Sequence, residues 1–242
     1  MTSALPQLIV GLAFILCFGS SPDKVVASSP APERPPQERP GSITGKVEIH
    51  ASSQLIRMER GGRYHAAMAG HESEAAAENS SEQRNVVIYL EGDKLEEGSS
   101  AHQAETKMDQ KNATFIPHVL PIQKGTSVNF VNHDRVYHNV FSLSATKKFN
   151  IGRRPTGEGV PIKFDKQGVA QIFCDIHSQM TAFVVVLDNP YFVQPDDDGS
   201  FRIDNVPAGT YTIKVWHERM TSPEQKVTVS PGGSAKVNFI LE

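Results

Sequence analysis

The chain has 242 residues, 38% of them hydrophobic, with 24 basic against 27 acidic side chains and a formal net charge of -3. That composition is globular and leaves room for one medium domain or two small ones after any targeting segment. No surplus of positive charge is available to meet a phosphate backbone, which argues against nucleic acid as a partner.

In chain order, the apolar run from Leu8 to Phe18 is followed by small residues and is short for a bilayer span, so residues 1–27 read as an export signal or an uncleaved membrane anchor. The expected location is the periplasm or the cell exterior, with a tether through this segment if it is retained. Cys17 follows the bulky Leu16, which disfavours lipoprotein processing, and it leaves with the signal. Residues 28–41, "SSPAPERPPQERPG", mix proline with charge and predict an extended, disordered linker. Strands are expected in "SITGKVEI" and "RNVVIYLEG". Between them, residues 51–84 read as a mobile insert. Its His65 and His71 would sit about 120° apart on a helix, a poor start for a metal site, and with Met68 they read as surface residues.

From Asn112 to Asp188 the stretches "ATFIPHVLPI", "KGTSVNFVN", "HNVFSLS", "VPIKFD", "KQGVAQIFCD" and "MTAFVVVLD" show no helical period, and turn residues separate them. They predict a sandwich. Strict alternation in Phe201 and Ile203, in Tyr211, Ile213 and Val215, and in Val237, Phe239 and Leu241 predicts a second all-β unit. Asp196, Asp197 and Asp198 before Gly199 lack the spaced ligands of an EF-hand and read as a hairpin turn. Trp216 is expected against an insert or a domain interface, and His217 is expected in solvent.

The chemistry lies in "FCDIHSQM", residues 173–180. Once the signal is gone, Cys174 is the only cysteine, and an unpaired thiol outside the cytoplasm is open to oxidation unless something occupies it. Two residues separate Cys174 from His177, and two more separate His177 from Met180. In a short loop between two strands these side chains can meet at one point. Thiolate, imidazole and thioether form a soft donor set that suits copper in both oxidation states, whereas a thioether is a poor zinc ligand. A second imidazole would complete a trigonal set, and His118, His133 and His138 are candidates. His133 lies in the turn "NHDR", where a solvated ring is ordinary, and His118 could simply meet a backbone carbonyl. A cysteine nucleophile with His177 as its base leaves Met180 and His138 idle and lacks an orienting acid. A merely buried cysteine with unrelated histidines leaves the spacing unexplained.

"MDQKNATFIPHVLPIQKGTSVNFVNHDRVYHNVFS", "KFNIG" and "FDKQGVAQIFCDIHSQMTAFVVV" together resemble a cupredoxin domain, the blue-copper fold of plastocyanin, pseudoazurin and amicyanin. The elements F-x-P, K-G-x-x-V-x-F-x-N, H-N-V and C-x2-H-x2-M occur in family order, over roughly residues 105–188. The resemblance implies a Greek-key β-sandwich with one type 1 copper ion, His138, Cys174 and His177 as equatorial ligands and Met180 as the axial one. It also implies that Asn139 ties the histidine loop to the cysteine loop. His133 departs from the family pattern and would be a spare imidazole near the site, open to adventitious metal.

"DDDGSFRIDNVPAGTYTIKV" resembles the carboxypeptidase regulatory-like domain, a small transthyretin-like β-sandwich. The earlier strands that this family requires are present before the copper domain. A split domain is therefore expected: residues 42–95 begin it, the cupredoxin is inserted, and residues 190–242 complete it. The whole arrangement resembles secreted proteins described as methylamine-utilisation-like. The functional expectation is a non-enzymatic carrier of single electrons between protein redox partners, with no second metal cluster of the kind multicopper oxidation needs. The alternative is a copper-binding or cell-surface module without electron transfer.

Overall fold

The alternating stretch "GSITGKVEI" forms β1 (Gly41–Ile49), and "VIYLE" forms β2 (Val87–Glu91). In the computed structural model, which describes residues 39–50, 82–92, 95, 106–157 and 159–242, nine strands follow before residue 188. They are β3 (Thr106–Lys111), β4 (Thr114–Ile116), β5 (Val119–Gln123), β6 (Ser127–Asn132), β7 (His138–Ser142), β8 (Phe149–Arg154), β9 (Val160–Lys163), β10 (Gly168–Phe173) and β11 (Thr181–Leu187). The chain ends with β12 (Phe192–Val193), β13 (Ser200–Val206), β14 (Gly209–Trp216), β15 (Gln225–Val229) and β16 (Ser234–Leu241). The all-β expectation therefore holds. The signal or anchor, nearly all of the linker and residues 51–81 of the insert lie outside the described residues.

Strands from the two ends of the chain share one core. One sheet has the order β13-β1-β16, with β1 parallel to β16 from Ser42↔Ser234 to Ile49↔Leu241. The facing sheet has the order β12-β2-β14-β15, with Ile88 opposite Val215 and Leu90 opposite Ile213. Ile43, Val47, Ile88, Leu90, Ile213 and Phe239 fill the space between the sheets. β1 runs down the middle of its sheet, and a Cβ on Gly45 would fall on the Val237 carbonyl and 2.7 Å from the Phe201 ring. That close approach is why the strand carries glycine there. In "PAGTY" the buried Tyr211 donates its hydroxyl to the Pro207 carbonyl at 2.9 Å, which closes the turn into β14. The acidic run serves as the expected turn: Gly199 N–H donates to Asp196 O at 2.9 Å, and Asp197 pairs with Arg84 at 2.8 Å.

Between these strands lies a second pair of sheets, β5-β11-β10-β7-β8 and β4-β3-β6-β9. Met108, Phe115, Phe130, Phe164, Ile172 and Val184 are among the residues that form its core. The run "AFVVVL" in β11 reflects burial on both faces. Ala182, Val184 and Val186 point into this core, while Phe183, Val185 and Leu187 meet Val87, Tyr89, Phe192 and Trp216 of the other sandwich. The Trp216 ring lies 5.5 Å from Phe183, so Trp216 is at the domain interface as expected.

His217 corrects an expectation. Its side chain is fully buried rather than solvated: Nε2 donates to Glu82 at 3.1 Å, and Nδ1 accepts the backbone N–H groups of Arg219 and Met220, each at 3.2 Å. His217 directly follows β14 and continues the inward alternation of Tyr211, Ile213 and Val215, so its ring falls on the buried face. The hydrogen bond from His217, helped by the Arg219 guanidinium and opposed by partial burial, holds the Glu82 carboxyl down at about 2, against an ordinary 4.5. A depressed carboxylate contributes stability that is present above its unfolded pKa and lost as pH falls through the folded one. Acid melts of the wild type should therefore lose stability between about pH 4.5 and pH 2. Glu82→Gln should flatten that part of the profile, and an unchanged profile would contradict the assignment.

Candidate metal centre

β10 ends at Phe173 and β11 begins at Thr181, so residues 174–180 must reverse the chain. Met180 N–H donates to His177 O at 3.0 Å, and Cys174 N–H donates to Met180 O at 3.3 Å. These two bonds curl the loop so that Cys174 and His177 turn toward one point. The third group comes from β7, whose first residue, His138, has no exposed surface. His138 Nδ1 lies 3.8 Å from Cys174 Sγ and 3.1 Å from His177 Nδ1. The donor atoms of the three residues lie within 4.8 Å of one another, and this is the one such cluster among the described residues. Met180 is 1% exposed and shares a core cluster with Cys174.

Asp134 sets the orientation of His138, and reading the sequence missed it. Its Oδ2 accepts from His138 Nε2 at 2.8 Å, which leaves the Nδ1 lone pair facing the thiol and His177. The same carboxylate accepts the backbone N–H groups of Asn112 at 2.7 Å and Ala113 at 2.9 Å. Both residues have positive φ, 54° and 51°, as a tight hairpin between β3 and β4 requires. Burial by itself raises the Asp134 pKa, but the Ala113 amide, the His138 ring and the Asn112 amide outweigh it, and the carboxyl sits below its ordinary range. Asp134 in turn is held by its own N–H donating to Asn132 Oδ1 at 2.8 Å and by the Thr156 hydroxyl on its carbonyl. The signal for it was the four-residue step from Asp134 to His138, beside the Asn132 turn residue.

The other histidines separate cleanly. His118 Nδ1 meets the Thr181 carbonyl at 3.1 Å, the backbone partner foreseen for it, and its Nε2 pairs with Glu218 of the second sandwich at 3.2 Å. His133 pairs with Asp109 at 3.1 Å and stands outside the ligand cluster. Asn139 is 3% exposed, and its Oδ1 accepts no hydrogen bond. Alternation along β7 turns its side chain away from the His138 face, and its cross-strand neighbour is Arg153. Asp134 and Asn132 hold the histidine loop.

The residues fit a soft transition metal. Two imidazole nitrogens stand 3.1 Å apart, one of them left as an acceptor by Asp134, with a buried thiol beside them. A cation between these atoms would satisfy all three, and thiolate, imidazole and thioether together favour copper.

Comparison with known proteins agrees. Residues 102–187 match the family model for copper binding proteins of the plastocyanin/azurin family, and residues 180–242 match that of the carboxypeptidase regulatory-like domain. No curated protein matches the chain. Among solved structures, the chain is similar to a copper-containing nitrite reductase from Thermus scotoductus, with 26% identity, a TM-score of 0.33, and coverage of 35% of this chain and 22% of the reductase. It is similar to a purple cupredoxin from Nitrosopumilus maritimus at 25% identity, covering 34% of this chain and all of the cupredoxin, with a TM-score of 0.31. A reduced amicyanin variant shares 16% identity over 41% of this chain and 98% of its own, with a TM-score of 0.33. Both family models claim residues 180–187, and β11 there lies in the copper-side sheet while its outer face packs on the other sandwich. The chain thus has one segment, residues 102–187, that matches copper binding proteins of the plastocyanin/azurin family, followed by one, residues 180–242, that matches the carboxypeptidase regulatory-like domain.

Proposed function

We propose that this protein is a single-electron carrier with one type 1 copper ion, exported to the periplasm or the cell exterior, and that it exchanges electrons with protein partners without turning over a substrate. The observation that carries the reading is the convergence of His138 Nδ1, His177 Nδ1 and Cys174 Sγ on loops pinned by strands. His138, Cys174 and His177 would hold the ion, and the Met180 thioether would be a further soft donor. Copper, when bound, supplies a one-electron couple between Cu(I) and Cu(II), for which this soft donor set suits both states. The chain's own part is to keep the donors in one arrangement. Asp134 fixes the His138 ring, and the two backbone bonds within residues 174–180 fix the cysteine loop. His177 is only half-buried and turns its Nδ1 inward, so its opposite ring edge serves as the contact with a partner.

The same reading treats residues 42–95 and 190–242 as one split sandwich with the copper domain, residues 105–188, inserted. The pairing of β1 with β16 and of β2 with β14 supports it. The split sandwich would then serve as a mount, and the N-terminal segment as the export signal or tether. Titration of the copper-loaded chain with a one-electron reductant should bleach a visible band and restore it on reoxidation, with one electron per copper. A colourless protein that holds its copper only as Cu(I) would point to storage or delivery instead.

A further inference from the structure

Along the edge strand β8 and the loop before β7, the charge of the chain is inverted. Between Arg135 and Lys166 the sequence has seven basic side chains against two acidic ones, in a chain of net charge -3. Arg135, Lys148, Arg153 and Arg154 are exposed, and Lys147 is half-buried. Arg135, Lys147, Lys148 and Arg153 form no ion pair among the described residues.

Strand order gives this stripe its place. β8 is the edge of its sheet farthest from β5 and β11, the two strands that pack on the second sandwich. The mount therefore leaves the stripe uncovered. The register of β7 and β8 sets Arg154 across from the ligand His138 and Arg153 across from Asn139. Asn132 Nδ2 donates to Val136 O at 2.8 Å and to Arg154 O at 3.1 Å, which ties the loop that carries Arg135 to the end of β8. From Lys148 to Arg154 the stripe runs about 20 Å. Exposed apolar residues flank the histidine ligands: Val136 at 51% and Tyr137 at 58% before His138, and Ile176 at 37% before His177.

Charges on an edge strand also keep that edge from pairing with another sheet. That explanation covers β8 but not Arg135, which is off the edge, nor the exposed apolar residues beside the ligands. An apolar centre with a charged rim has the composition of a docking surface, and a rim of one sign selects a partner of the other. We infer that this basic stripe docks an acidic face of the protein redox partner and draws it onto the surface where His177 lies. The inference rests on the electron-carrier reading and adds the charge of the partner to it.

The test uses the full, copper-loaded chain and two small oxidants of opposite charge, hexacyanoferrate(III) and a tris-phenanthroline cobalt(III) complex, followed by stopped flow. With the anionic oxidant the second-order rate should fall about tenfold as ionic strength rises from low to physiological values. The combined variant Arg135→Glu, Lys148→Glu, Arg153→Glu should lose about the same factor at low salt. Its visible spectrum should remain that of the wild type, and its rate with the cationic oxidant should rise. An acidic c-type cytochrome, as the protein probe, should repeat the salt and variant dependence of the anionic oxidant. Equal rates for wild type and variant with every probe would overturn the docking surface and leave the carrier reading standing. Loss of binding to vesicles of anionic phospholipid, with no change in rate, would overturn it in favour of a membrane contact. Copper that cycles with no probe would overturn the carrier reading and the docking surface together.

Discussion

Copper-loaded Cys174→Ser protein should lack the intense visible band of the wild type altogether. That band arises from charge transfer between a thiolate and copper, and Cys174 is the only thiol among the described residues. Serine keeps the size of the side chain but offers a hard oxygen that stays protonated at neutral pH, so it cannot replace the thiolate. Cys174 is 5% exposed and packs in the same core as Met180, and a hydroxyl buried there costs about 1–3 kcal/mol when it finds no partner. The variant should therefore fold with a modestly lowered melting temperature, and far-UV circular dichroism separates that effect from the loss of the ligand. A folded Cys174→Ser protein that kept the intense band would sink the assignment.

Asp134→Ala should weaken copper binding by about 10- to 100-fold, the range found when the outer hydrogen-bond partner of a metal-bound histidine is removed. The His138 ring would lose the acceptor that holds its Nε2–H, and with it the bias that leaves Nδ1 free toward the site. The same change strips the acceptor from the Asn112 and Ala113 amides, which loosens the hairpin between β3 and β4. Asp134→Asn keeps an oxygen of similar reach but no charge, so its affinity should fall between the wild type and the alanine variant. Competition against a chromophoric chelator measures both constants. Wild-type affinity in both variants would show that His138 is held by β7 alone.

The two sandwiches meet through a shared design of strand. β11 and β2 are each apolar on both faces, with one face in their own core and the other in the interface that contains Phe183, Val185, Leu187 and Trp216. His118 adds a polar link from the Thr181 carbonyl, one residue past Met180, to Glu218. The copper loop is thereby braced from behind by the second sandwich, which leaves the β8 edge and the His177 side open.

Much of this was legible in the residues. The C-x2-H-x2-M loop is local, so its spacing alone brings Cys174 and His177 together once a reversal between two strands is granted. Alternation exposed the strands with one buried face, such as β13 and β16. β3, "TKMDQK", did not announce itself, because Met108 is its only apolar residue and Gln110 is buried beside it through backbone pairing. The choice of His138 over His118 and His133 followed from a family resemblance, since spacing left all three open.

Sequence by itself determined the all-β class, the donor types and the loop that carries two of them, because each depends on neighbours a few residues apart. Only the tertiary structure decided that Asp134 orients His138, that Asn139 leaves its Oδ1 unpaired, and that a basic edge lies beside the ligands. Those outcomes depend on which strands pair and in what register. Pairing joins β1 to β16 across nearly the whole chain, a relation that no local spacing records.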